Sequence, residues 1–295
     1  MMKLRQFLKN LARRGLNLII IFCLISGCSS STKPTYFKEN IEESVRSICQ
    51  KEYQIDVKVK LVGSTLWVYL PVEDVFIKSD KPEKYPEKFL IEQNNNAFQA
   101  DSLKLEYLIK AVPEREKQQD YKYNKNVADK VNKVLKVMHR VIFSMEFPKE
   151  KGPKFFCLII ADIKNAFETK EIFYSPDLKK AAYEFISWGE YQHRVIQEGN
   201  ISPAILGDKE GDHVVYKDIT LKEFIVKQID HRIKLKFQRP EVDTNVDIDK
   251  EIIKIVALTL TTYDFKDFTA VELNNLLSKN KIILNQAEIW ASIVK

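Results

Sequence analysis

The feature that most limits what this chain can fold into is an amphipathic helix followed closely by an apolar run with no period. From residue 127 to 145, Val127, Val131, Val134, Leu135, Met138, Val141, Ile142 and Met145 recur at helical spacing and form one wide stripe. Phe155 to Ala161 is then apolar at every position, which reads as a buried strand. The flanking segments extend the pattern. Phe37, Ile41, Val45 and Ile48 predict a helix over 36–52, and Val57, Val59 and Leu61 alternate with Lys58 and Lys60 over 55–62. Gly63-Ser64 separates that alternation from Thr65 to Leu70, so a hairpin is expected, ended by Pro71. Lys170 to Tyr174 is the expected partner of the buried strand. Ser175-Pro176-Asp177 opens a helix expected to run past Trp188 and end near Gly199-Asn200. Helix, hairpin, helix, two strands and helix predict an α+β fold, a mainly antiparallel sheet with helices packed on one face.

Residues 77–125 are more polar. Pro82, Pro86, Pro113, the run Asn94 to Asn96 and the stretch Lys117 to Asp120 predict an insertion or linker, with one strand where Leu103, Leu105, Tyr107 and Ile109 alternate. A soft boundary falls between Asn200 and Asp212, dividing an α+β domain over 36–205 from a mostly helical part over 206–295. In the latter, Thr220 and Glu223 form one expected capping box and Thr269 and Glu272 a second, leading into Leu273, Leu276 and Leu277. Residues 250–263 read as an apolar helix, and Ile233, Leu235 and Phe237 alternate like a short strand. No internal repeat is visible.

The net charge of +6 suggests nucleic acid until it is located. Lys3, Arg5, Lys9, Arg13 and Arg14 all precede residue 28 with no acid among them, so a chain cut there carries +1. No basic field remains to hold a polyphosphate backbone, and no nucleic-acid partner is expected. Those basic residues lead into the apolar stretch 15–25, too short to span a bilayer comfortably, and then into Ser26-Gly27-Cys28-Ser29. Ile25-Ser26-Gly27-Cys28 resembles the lipobox of bacterial lipoproteins. The resemblance implies a signal peptide over 1–27, removal before Cys28, diacylglycerol on the Cys28 thiol and acylation of the new amino group. It also implies a membrane partner through that lipid, and a tether over 28–35. Ser29 after the cysteine implies, by the family's sorting rule, the outer membrane facing the periplasm if the organism has two membranes. The alternatives are an ordinary secretory signal with a chance cysteine, or an uncleaved anchor. The resemblance covers about the first thirty residues and says nothing of the rest.

Two further cysteines, Cys49 and Cys157, remain once Cys23 and Cys28 are assigned to the leader and the lipid. In an oxidising compartment they are a possible disulfide. Both sit in apolar runs, so two buried free thiols is the competing reading. Catalytic motifs are missing: there is no GxSxG elbow, no GxGxxG, no phosphate loop, no Cys/His zinc spacing and no histidine cluster. No cofactor is implied. Three constellations are weighed for metal. Asp243, Asn245, Asp247, Asp249 and Glu251 fall at every second position, but Ile248 and Lys254 occupy the places where a calcium loop of the hand type needs Gly and Glu. A solvated acidic loop favouring the next helix N-terminus is the plainer reading. Glu190 and His193 stand three apart on a helix, one pair where carboxylate-bridged sites need two. Asp208, Glu210 and Asp212 flank Gly207 and Gly211, which is turn composition first. His139 borders the stripe of the 127–145 helix as a core-edge residue. Trp67 and Tyr69 share one face of the hairpin, opposite Leu66, Val68 and Leu70, and are expected to pack under a helix.

The expected function is a membrane-anchored envelope lipoprotein, non-enzymatic, acting in protein interaction, with another envelope protein as partner, or in envelope assembly. A lipid-anchored, metal-assisted hydrolase is the alternative. So is a small-ligand binder with Trp67 or Trp188 as a wall. An exposed apolar patch favours the first, and a concave pocket gathering carboxylates and a histidine favours the hydrolase.

Overall fold

The computed structural model describes residues 40–143, 152–239 and 241–292. The leader, Cys28, Ser29, the tether and Met145 lie outside them. The fold is mixed α/β with two mainly antiparallel sheets rather than the single sheet expected. The first has the order β1-β2-β5-β6-β7, with β1 at Lys58–Val62, β2 at Thr65–Val72, β5 at Phe155–Asp162, β6 at Phe167–Tyr174 and β7 at Ile196–Ile201. The second runs β3-β4-β8-β9, with β3 at Phe76–Gln99, β4 at Ser102–Tyr123, β8 at Ala270–Asn275 and β9 at Asn280–Asn285.

The apolar run 155–161 is central in the first sheet. β5 is buried at every position, parallel to β2 and antiparallel to β6. Its alternate residues serve two cores. Phe156, Leu158 and Ile160 join Leu66, Val68 and Leu70 beneath helices α1 (Ile41–Tyr53), α2 (Lys125–Phe143) and α3 (Ser175–Ala182). Phe155, Cys157 and Ile159 join Trp67 and Tyr69 on the opposite face. That face is covered by the segment 203–220 and by Phe224, so the sheet is not helix-covered on one side only. Segment 203–220 is laced to β2. Trp67 Nε1 donates to the Lys217 carbonyl (2.8 Å), Tyr69 Oη to the Asp208 carbonyl (2.6 Å), and the Ile219 N–H to Thr65 Oγ1 (2.8 Å). The β1–β2 turn holds Gly63 at φ +58, where an added Cβ would collide with Asp218. The Asp218 carboxylate in turn accepts from the Ser64 N–H at 2.8 Å and the Thr65 hydroxyl at 3.0 Å.

Residues 77–125, expected as an insertion or linker, form a long antiparallel hairpin, β3 with β4. The prolines misled because the ladder absorbs them. Register shifts fall between Lys78 and Glu83, around Pro82, and between Glu87 and Phe89, where the partner strand carries Pro113. β3 is also an edge strand, where a missing N–H is tolerated. The distal half of the hairpin buries Leu103, Leu105, Tyr107 and Ile109 as the alternation predicts. The proximal half, 76–87 against 115–123, is an exposed two-stranded ribbon.

Three further expectations are corrected. The helix from Ser175 stops at Ala182. After the short helix α4 (Trp188–Arg194), residues 196–201 extend as β7 against β6. Ile233, Leu235 and Phe237 lie inside α5 (Leu221–Phe237), not a strand; a helix apolar on two sides mimics alternation there. The second expected capping box does not form: Thr269 donates its N–H and hydroxyl to the Asp101 carbonyl and opens β8 instead of capping a helix, so a strand pair stands among the helices of 206–295. The Thr220–Glu223 capping box does form, at 3.2 and 2.9 Å. From that cap, α5 sends Phe224 to the first sheet, and Ile225, Ile229 and Ile233 to the second sheet and α6 (Ile248–Thr262). One helix thus joins both cores. A final helix, α7 (Gln286–Ala291), is capped by Asn285.

Candidate functional site

The ends of β2 and β5 meet the base of the β3–β4 ribbon at a built polar corner. Asp162 closes β5 and is buried. Its carboxylate accepts from the Val75 N–H (2.7 Å), the Lys164 N–H (3.2 Å), the Asn165 N–H (3.0 Å) and the Asn165 amide. Asp74, at φ +55, pairs with Lys164 at 2.8 Å, and that cation with the Asn165 amide holds its carboxyl below the ordinary range. These contacts fix the angle at which the ribbon leaves the sheet. Between them opens a groove of about 1070 Å³, with Asp74, Asp162 and Asn165 at one end. Its other walls carry Phe76, Ile77, Tyr85, Tyr121, Phe167 and Ile201 together with the polar residues Lys78, Gln118, Gln119 and Asp120. Five of the six apolar residues are exposed, Tyr121 at 58% and Ile201 at 78%, so the groove is open to solvent and mixes exposed apolar side chains with polar ones. Phe76 leans on Phe167 at 5.4 Å, which joins ribbon to sheet under the groove. All the polar groups at its closed end are satisfied by one another, and none is a free nucleophile or base.

A second cluster lies on the segment 203–220. The Asp208 carboxylate accepts from the backbone N–H groups of Glu210 (3.1 Å), Gly211 (2.7 Å), Asp212 (3.2 Å) and His213 (3.1 Å), and contacts His213 Nδ1. His213 Nε2 meets Glu168 Oε2 of β6 at 2.9 Å. Burial alone would raise the Asp208 carboxyl, but those donors outweigh it and bring it down to about 2. Burial alone would lower His213, but bonds to Glu168 and Asp208 outweigh it and raise it. Both ring nitrogens are engaged by carboxylates, so the imidazole is a latch between segment and sheet rather than a base facing a substrate. Asp208 and Asp212 were read as a turn, and a turn tied by one carboxylate is what forms. Glu210 pairs outward with Lys58 at 2.8 Å.

The other residues weighed from sequence are placed as follows. Asp243 accepts from the Asn245 N–H at 2.9 Å, and Asp247 caps α6 through the Lys250 N–H at 3.1 Å. Asp249 accepts from Tyr107 (2.8 Å), Asn275 (2.6 Å) and Asn280 (3.1 Å), while Glu251 pairs with Lys236 at 2.8 Å. Their oxygens point to different partners and do not converge on a cation. Among the described residues no group of three or more His, Cys, Asp or Glu side chains is arranged to hold a metal. Glu190 bonds Arg194 at 2.8 Å rather than sharing a ligand with His193. Cys49 and Cys157 are free and buried, in the cores on opposite faces of the first sheet, so the disulfide does not form. Burial pushes the Cys49 thiol up to about 12. His139 sits at the core edge, and burial lowers its pKa. Trp67 is packed edge-on against Tyr216 and Trp188 is half exposed, so neither walls a chamber between sheet and helices. Among the described residues no helix is long and apolar enough to cross a membrane.

Sequence reasoning missed Asp162, Asn165, Tyr121 and Ile201. Asp162-Ile163-Lys164-Asn165 after an apolar run was a readable turn signal. Tyr121 and Ile201 carried none, because each lay in a segment assigned to something other than a strand. The chain matches no protein-family model, no curated protein and no solved structure.

Proposed function

We propose that this chain is a lipid-anchored protein of a bacterial envelope that holds an extended segment of another envelope protein in the groove at the ribbon base. The observation that carries the reading is the gathering of Phe76, Ile77, Tyr85, Tyr121 and Ile201, all exposed, around one concavity. Contiguous exposed apolar surface of this kind marks interaction sites on soluble domains. Two edge strands, β3 and β7, contribute walls. Their unpaired backbone groups suit an added strand, with alternate side chains entering the apolar walls. The polar groups at the groove's closed end hold each other, which favours a rigid binding surface over a reactive centre. The address rests on the leader and on Cys28 as read from sequence: glyceride on that thiol would keep the groove at a membrane surface.

The test is photo-crosslinking in intact cells from a reactive residue at position 121, with Ile201→Asp and Cys28→Ala as comparators. A discrete adduct is expected that Ile201→Asp removes and that a reactive residue at the remote, exposed Lys130 does not give. An adduct unchanged by Ile201→Asp refutes the groove. Intact mass showing an unmodified Cys28 thiol refutes the anchor.

One observation favours an enzyme instead. Asp230, bonded to the Asn96 amide at 2.6 Å beside a pocket of about 510 Å³, is pushed up to about 6 by burial. A carboxyl poised near neutrality suits proton transfer. Hydrolysis of an envelope polymer that Asp230→Asn abolishes would support that reading over the first.

A further inference from the structure

On the side of the molecule built by α4, α5 and α6, Arg232, Leu235, Lys236 and Arg239 follow helical spacing and share one face of α5 and its exit. Together with Glu190 and His193 of α4 they line a cleft of about 240 Å³, walled on the third side by Ile255 and Leu258. The charges in this cleft do not balance. Lys236 is paired with Glu251 at 2.8 Å. Glu190 is committed to Arg194 at 2.8 Å and reaches Arg232 only at 3.8 Å. Arg239 and His193 have no carboxylate partner among the described residues. Arg232 Nε is buried and has no acceptor among them. A buried guanidinium N–H without an acceptor is costly. His231, the next residue along, reports the same excess. Burial pushes it down to about 4, helped by Lys234, Arg232 and His193 around it.

Cations near a helix C-terminus have an ordinary explanation, since they complement the helix dipole. That accounts for Lys234 and Lys236. It extends to Arg239, one residue past the cap, but it does not account for Arg232, which lies inside the helix with its Nε buried.

We propose that this cleft is a binding site for a phosphate ester, with Arg232 and Arg239 holding the phosphate oxygens, His193 facing them from α4, and Leu235, Ile255 and Leu258 packing the organic part. Guanidinium forks match phosphate geometry. A tetrahedral group has oxygens for donors arriving from two helices, where a single carboxylate is filled by one fork. The volume admits a phosphate with a few carbons and no base or sugar chain. Such a group is offered both by a phospholipid headgroup and by a free phosphate monoester. The site is separate from the groove at the ribbon base, and its test does not depend on that reading.

The experiment is calorimetric titration of the full chain in neutral detergent with three probes: inorganic phosphate, a short-chain phosphatidylglycerol and a short-chain phosphatidylcholine. Saturable binding is expected for at least one of the first two, weakened by added chloride. Arg239→Gln, an exposed position whose change leaves the thermal midpoint in place, is expected to weaken it about tenfold or more. Occupancy also neutralises the local field, so the His231 ring resonance must titrate at higher pH with the probe bound. Tighter binding of phosphatidylglycerol than of inorganic phosphate identifies the headgroup as the source, and the reverse order a free monoester. No saturable binding by either, equal binding of phosphatidylcholine, or affinity unchanged in Arg239→Gln overturns the proposal.

Discussion

Replacing Asp208 with alanine is the most informative perturbation of the fold. Its carboxyl is held at about 2 against an ordinary 3.8, a gap that corresponds to about 2 kcal/mol of stability at neutral pH. The side chain is nearly buried, so little of that is lost to solvent screening. Alanine removes the charge and also leaves four backbone N–H groups and the His213 ring with fewer acceptors. Breaking a buried pair from one side raises the loss to about 3–5 kcal/mol. For a chain of this size that lowers the melting midpoint by roughly 5–10 °C. The effect must depend on pH, and its direction follows from the two shifts. Asp208 is lowered, so its contribution is full above about pH 4 and disappears as pH falls toward 2. His213 is raised, so its contribution is full below about pH 6.5 and disappears as pH rises through its elevated folded value. Of the other groups facing this ring, Tyr69 and Tyr216 are raised by burial and stay neutral across that range. Urea unfolding of wild type and Asp208→Ala, repeated between about pH 4 and pH 9, should give the largest difference below about pH 6.5 and a smaller one above. Hydrogen exchange should show 203–220 opening first in the variant. A difference under about 1 kcal/mol, or one constant across the range, refutes the latch.

Three other outcomes are expected. Ile201→Asp, at an exposed position, should change unfolding free energy by less than about 0.5 kcal/mol while removing the adduct formed from position 121. Thr220→Ala deletes a capping box at the helix that joins both cores, and should cost about 1 kcal/mol with a single unfolding transition retained. Cys49 and Cys157 should resist alkylation in the native protein and both react in denaturant, with no change in native mass on reduction.

How much of this was legible follows from what each segment packs against. The helices α1 and α2, the start of α5 and strand β1 each bury a face that their own period declares, and β5 is apolar throughout as a strand buried on both faces must be. Local pattern and tertiary contact agree in them, and they were readable. β7 and β8 were not. Each is short, half exposed, and held by the strand beside it: β7 by β6, and β8 by the parallel pairing of Ala270 to Asn275 with Ser102 to Tyr107. Thr-Ala-Val-Glu has the composition of a helix cap, and only the Asp101 carbonyl, 168 residues earlier, turns it into a strand start. The ribbon was hidden for a related reason. Its prolines sit at register shifts or on an edge, which no single-strand pattern can express. The same property exposes its aromatic residues. A strand interrupted by bulges and lacking a cover on the far side cannot bury Tyr85 and Tyr121 within its own fold. Those side chains are held at the surface by a corner that Asp162 and Asn165 brace from below. That is the physical reason to look for the partner there: the chain holds exposed aromatic and aliphatic side chains around a concavity, and nothing among its described residues fills it.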